Sequence, residues 1–189
     1  ARRAAVQGCS QVKVLPLFLS PGVHVQEDLP TELAIAHQIL GASIELDLMP
    51  HLGHTQEHWQ RFFQRLFSRW DPSAAKVLLA HGSRRPGGNQ PTFNLATTLN
   101  AYPAFWATEP RLTQQLETLA QTGISQVVIA PYFLFPGRIT RAIVSEVEQL
   151  QARFASMQLT LSQPLNNHPH LLDLIIWQLK PESFAIAAN

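Results

Sequence analysis

Apolar positions recur along this chain in two alternating rhythms. The short runs 12–15 and 127–130 are bounded by proline and read as buried parallel strands. Residues 44–49 and 159–162 alternate apolar with polar, as half-buried strands do. A further strand, 76–80, runs into a glycine-rich loop, and a short one is expected near 104–107. Between them lie helical stripes. Ile139, Ile143, Val144, Val147, Leu150 and Phe154 recur at helical spacing, with Arg141, Glu146 and Glu148 among the polar positions. Trp59, Phe62, Phe63, Leu66 and Phe67 form a second stripe and 171–179 a third, while further helices are expected from about Pro91 and over 111–122. Pro30 sits in the first turn of another helix and Gly41 just past its end, the usual asymmetry of helix termini. Strands alternating with helices predict an α/β fold with a parallel, doubly wound sheet.

The pattern repeats. Val12-Lys-Val-Leu-Pro-Leu-Phe-Leu-Ser-Pro-Gly22 matches Val127-Val-Ile-Ala-Pro-Tyr-Phe-Leu-Phe-Pro-Gly137, 115 positions later. Met49-Pro-His-Leu-Gly-His54 then recurs as Gln163-Pro-Leu-Asn-Asn-His168 in the same order. Two ordered matches indicate a duplicated domain. The second copy carries the additional region from Lys76 to about Ile124, for which the first has only eleven residues ahead of its Val12 strand. A two-strand remnant leaves an apolar edge, which sheets tolerate poorly. The expectation is therefore an N-terminally truncated form of a longer two-domain protein, with Trp70-Asp-Pro-Ser-Ala-Ala75 as the linker.

Composition narrows the function. With 46% hydrophobic residues, the 189-residue chain can bury a proper core, as one large domain or two small ones. Its 14 Lys and Arg against 13 Asp and Glu, without a basic run, give no electrostatic footprint for nucleic acid or an anionic membrane. No apolar run approaches the roughly 20 residues that span a bilayer. The single Cys9 cannot form an internal disulfide, which fits a reducing, cytoplasmic compartment.

Two loops carry candidate chemistry. His81-Gly-Ser-Arg-Arg-Pro-Gly-Gly-Asn89 follows the first strand of its copy, at the sheet edge where ligands gather. A neutral imidazole there suits a divalent transition metal and can accept a proton; the plainer reading is a glycine-rich turn whose histidine bonds the backbone. A phosphate-binding role for 82–88 lacks the Gly-Lys-Ser/Thr signature. Ser20-Pro-Gly-Val-His24-Val-Gln-Glu27-Asp28 places one imidazole and two carboxylates where a helix opens. His24 is the candidate ligand and Glu27 the candidate base or outer partner; the competing reading is that acids in a first turn complement the helix dipole. The second copy has Arg138-Ile139 where the first has Val23-His24, so the duplicated loops diverge at the candidate ligand. Arg84, Arg85, Arg138 and Arg141 can clamp a polycarboxylate, against the alternative of solvated surface charge. His54 and His58 stand one helical turn apart, a spacing read here as structural. No role is assigned to His37, His51 or His170.

The motifs at 15–30 and Leu78-Leu-Ala-His-Gly-Ser-Arg-Arg-Pro86, with Pro131-Tyr-Phe-Leu-Phe-Pro-Gly137 and Pro164-x-x-x-His168-Pro-His-Leu-Leu172, resemble those of the sirohydrochlorin cobaltochelatase/ferrochelatase family. The resemblance covers nearly the whole chain. It implies two related chelatase-like α/β domains, each a parallel sheet flanked by helices, facing each other across a cleft that holds a tetrapyrrole. On this reading residues 1–70 are the C-terminal half of an incomplete first domain, 71–75 the linker, 76–180 a complete second domain and 181–189 a tail. Family members insert Co²⁺ or Fe²⁺ without ATP. By position His24 and His81 match the family's metal-site histidines, and Glu109 lies nearest the expected position of a family carboxylate. The resemblance thus implies His24, Glu27 and His81 as catalytic, His24 and His81 as metal-binding, and Ser83, Arg84, Arg85 and Arg138 as substrate-binding. The expected partners are a sirohydrochlorin-type tetrapyrrole and a divalent metal that is substrate, with no permanently bound cofactor and no nucleic acid or membrane. Self-association through the incomplete first domain is a further expectation. A non-catalytic metal or tetrapyrrole binder on the same fold is the alternative.

Overall fold

The computed structural model describes residues 2–41 and 44–180, so the expected tail at 181–189 lies outside the described residues. The chain divides into two compact units, 1–54 with 178–189, and 55–177.

In the smaller unit α1 (Arg2–Val6), too short for periodicity to reveal, precedes β1 (Gln11–Val14). A π-helical turn (His24–Asp28) then leads into α2 (Leu29–Leu40) and β2 (Glu45–Leu48). β1 and β2 pair in parallel from Gln11↔Glu45 to Val14↔Leu48. The pairing continues past both strands: the Met49 N–H donates to the Val14 carbonyl (3.0 Å), that of Leu52 to Pro16 (2.9 Å) and that of Gly53 to Phe18 (2.8 Å). Ile44, Met49 and Leu52 are buried here, whereas Ile35 and Ile39 of α2 are exposed. Pro30 stands in the first turn of α2, and Gly41 ends it at φ +61°, as expected. The Gln178 amide donates to the carbonyls of Pro50 (2.8 Å) and His51 (3.2 Å).

The larger unit is built on β3 (Ala75–Ala80), β4 (Tyr102–Phe105), β5 (Gln126–Pro131) and β6 (Gln158–Leu161), all parallel in the order β4-β3-β5-β6. The central strands β3 and β5 are buried along most of their length, as strands covered on both faces must be. α4 (Gln90–Thr98), α5 (Leu112–Gln121), α6 (Arg138–Arg153) and residues 169–177 of α7 (Pro169–Gln178) flank them. Val77, Leu79, Leu116, Leu119, Ile129 and Ile143 anchor the core.

α3 (Gln56–Phe67) also belongs to this unit, and its whole aromatic stripe is buried. Trp59 and Phe63 meet the Tyr132 ring at 5.4 and 5.5 Å, and Phe62 meets His168 at 4.5 Å. In the sequence repeat α3 belongs to the first copy, so repeat and packing divide the chain at different points. Burial of each large apolar side chain is worth about 1.5–3 kcal/mol, enough to fix a helix on the surface that covers it.

Candidate functional site

His24 stands where the loop from β1 turns into α2. Residues 24–28 form a π-helical turn in which the Leu29 N–H reaches back five residues to the His24 carbonyl. The local cause is Pro30. In a regular α-helix its ring would press on the Gln26 carbonyl four residues back and offer it no N–H, and a widened turn relieves that clash. The repeat supplies the control: Ser145 occupies the Pro30 position of the second copy, and α6 is a regular α-helix there.

The turn brings an unexpected carboxylate to the histidine. Asp28 Oδ2 lies 2.6 Å from His24 Nδ1, with the two side chains 53% and 72% exposed. A carboxylate only accepts, so in the neutral ring Nδ1 carries the proton and Nε2 keeps its lone pair. The Phe18 ring stacks beside the imidazole at 5.9 Å and 29°. Asp28 stands at the N-terminus of α2 without capping it, its side chain turned to His24 instead. Glu27 shares the turn, and its backbone carbonyl accepts from Thr31 Oγ1 at 2.8 Å. Sequence reasoning put Glu27 ahead of Asp28; the four-residue spacing from His24 to Asp28 was the available signal.

Gly53 fixes the loop that carries His24. A Cβ on it would fall 1.9 Å from the Leu19 carbonyl oxygen, so only glycine admits this close approach.

In the larger unit His81 is the first residue beyond the carboxyl end of the central strand β3. Its Nδ1 lies 2.9 Å from the Gly82 carbonyl oxygen, a contact that again leaves Nε2 unprotonated in the neutral ring. The loop behind it is tightly tied. The Ser83 N–H donates to Asn89 Oδ1 (2.7 Å), Asn89 Nδ2 donates to Thr108 Oγ1 (3.1 Å), and the Arg85 N–H donates to Ser83 Oγ (3.2 Å). Gly82, at φ +86°, leaves no room for a Cβ beside Thr108 Oγ1. Sequence reading missed Asn89 and Thr108 because their pairing is made only across two loops. Arg84 and Arg85 project exposed from this loop, and Arg138, also exposed, opens α6 beyond the neighbouring strand β5. Parallel pairing of β3, β4 and β5 therefore places His81, Ser83, Arg84, Arg85, Arg138 and exposed Glu109 at one end of one sheet.

Most of the other histidines pack against neighbouring rings. His58 sits on the Trp177 ring at 3.9 Å, and burial, with the Arg61 charge, holds its pKa below the usual value. His168 is lowered by burial first, then by His170 and Arg69. In the smaller unit burial also lowers His51, whose ring lies 5.9 Å from that of His54. Among the described residues no three His, Cys, Asp or Glu side chains gather to hold a metal, and no helix is long and apolar enough to cross a membrane. A groove of the larger unit is lined by Val144, Val147, Leu159, Leu161 and Pro164, and contains neither His81 nor Arg138.

Comparison with known proteins identifies the fold and the family. A sirohydrochlorin ferrochelatase of Priestia megaterium is 24% identical over 186 residues, covering 92% of this chain and 68% of its own length. Its counterpart in Bacillus subtilis is 26% identical over 176 residues, covering 87% and 66%. The chain thus spans about two thirds of the length of these relatives. Among solved structures, SirB from Bacillus subtilis with Fe³⁺ superposes with a TM-score of 0.78 at 24% identity, over 94% of this chain and 73% of that one. A SirB complex with cobalt gives 0.72 at 23% identity, over 96% and 75%. The α/β fold of parallel strands flanked by helices is therefore shared. The CbiX family model matches residues 1–68 and 75–182, and this chain belongs to the CbiX family.

Proposed function

We propose that this chain is a sirohydrochlorin chelatase, inserting Co²⁺ or Fe²⁺ into a sirohydrochlorin-type tetrapyrrole without ATP. Family membership sets the reaction class. The observation that carries the site is His24, an exposed imidazole whose Nδ1 is engaged and whose Nε2 is open.

Metallation exchanges two pyrrole N–H protons for one M²⁺. A neutral imidazole serves both halves of that exchange, since one lone pair can bind the incoming ion or accept a departing proton. His24 takes this role in the smaller unit, with Glu27 as a carboxylate for proton transfer. In the larger unit His81 presents a second imidazole. Ser83, Arg84, Arg85 and Arg138 offer donors to a substrate edged with carboxylates, for which the guanidinium fork is the matching group. The metal is substrate, and the Irving–Williams order does not separate cobalt from iron by protein ligands alone. The single exposed Cys9 suits work in the cytoplasm. Self-association through the incomplete first domain would double the mass of the particle, which sedimentation measures.

The test is anaerobic absorbance spectroscopy of sirohydrochlorin with Co²⁺ or Fe²⁺, with and without the 189-residue chain. Catalysis predicts many metallated products per chain at a rate above the protein-free control. A non-catalytic binder would instead give a spectral change that stops at one equivalent.

A further inference from the structure

We infer that Asp28 is the positioning residue for His24: its carboxylate holds the Nδ1–H tautomer and thereby reserves Nε2 for the metal or the pyrrole proton. The inference rests on the chelatase reading for its purpose, though not for its geometry.

Three observations converge on it. The contact is short and between complementary groups, 2.6 Å from Nδ1 to Oδ2, on side chains that solvent reaches. Exposed contacts of this kind contribute little to stability, so folding alone gives little reason for the pairing. The backbone is also shaped for it. The π turn that Pro30 imposes spans His24 through Asp28 and ends there, and turns of this type often mark functional sites. Finally, the duplication removes both partners together. At the spacing of 115 positions His24 corresponds to Ile139 and Asp28 to Ile143, and Ile143 is fully buried in the core of the larger unit. Pro30 corresponds to Ser145, so histidine, carboxylate and widened turn are present as a set in one copy and absent as a set from the other.

The chemistry follows from what each ring nitrogen can do. An imidazole that binds a metal through one nitrogen must carry its proton on the other, and a carboxylate on that proton fixes both tautomer and ring direction. Without Asp28, His24 divides between tautomers, and the one with Nε2–H presents no lone pair at the site. The stack with Phe18 restrains the ring plane but cannot choose the tautomer.

The experiment is ¹⁵N spectroscopy of the histidine rings in the metal-free chain, with His24 assigned by its loss in His24→Ala, followed by Co²⁺ titration of the same samples. Wild-type His24 is expected as the Nδ1–H tautomer. Asp28→Ala is expected to shift it to a mixture and weaken Co²⁺ binding roughly 10- to 100-fold, the usual effect of removing an outer partner of a ligating histidine. Asp28→Asn keeps an acceptor of the same shape, so it is expected to retain the tautomer and recover part of the affinity. An Asp28→Ala chain with the wild-type ring spectrum and affinity would overturn the inference. The ring signature needs no turnover: a chain that shows it yet fails to metallate sirohydrochlorin would leave Asp28 as positioned and sink the chelatase reading alone.

Discussion

Single residues decide how the loops are held. Gly53 admits the Leu19 carbonyl where a Cβ would stand 1.9 Å away, and a backbone atom cannot yield as a flexible side chain can. Gly53→Ala is expected to displace the loop before His24 and to weaken Co²⁺ binding more than it lowers the thermal midpoint, read by titration and calorimetry. Tyr132 gives the opposite sign. Its ring packs against Trp59 and Phe63, its buried hydroxyl has no hydrogen-bond partner among the described residues, and burial pushes its pKa far upward. Tyr132→Phe is expected to stabilise the larger unit by about 1 kcal/mol, since an unsatisfied buried group costs about 1–3 kcal/mol. At this scale the sequence was only half legible. His24 stood out because the repeat loses it, but which of two adjacent carboxylates folds back onto the ring depends on a widened turn, and Glu27 was preferred to Asp28 for want of it. The ring of bonds through Asn89 and Thr108 joins residues 19 positions apart and leaves no local mark.

Elements were the most legible level, because proline boundaries and helical stripes are local physics. Among the described residues, the six strands and the six longer helices fall within a few residues of the sequence reading. The five-residue α1 escaped it, as did the widened turn at His24–Asp28. Partnership was harder. The α3 stripe looks the same whichever surface it covers, and packing joins it to the larger unit. A fragment beginning at Pro72 would strip Trp59 and Phe63 from Tyr132. It is expected to be several kcal/mol less stable than 55–177, given about 3–5 kcal/mol for deleting one buried aromatic side chain. Urea denaturation of the two fragments, followed by far-ultraviolet dichroism, checks this.

At the scale of the molecule, three buried or half-buried histidines set the response to acid. His51, His58 and His168 all have folded pKa values lowered chiefly by burial. The unfolded chain takes up these protons near the ordinary value of 6.5 while the folded chain resists. Their stability contribution is therefore complete above pH 6.5 and lost as pH falls from there through the lowered folded values. Glu146, raised by burial, pulls the other way and gains as pH falls, but only through its own raised carboxyl range. The urea midpoint, followed by tryptophan fluorescence, should thus drop between pH 7.5 and 5.5. The fold and family were readable from several motifs in fixed order, while the division of labour between the two copies was not, because His24 and His81 belong to different copies of one duplication. The measurement that bears most directly on this account is the metallation rate of sirohydrochlorin with Co²⁺ by wild type, His24→Ala and His81→Ala side by side. His24→Ala is expected to lose about 100-fold or more of the catalysed rate, the scale of a lost proton acceptor. A His24→Ala chain as fast as wild type would contradict it.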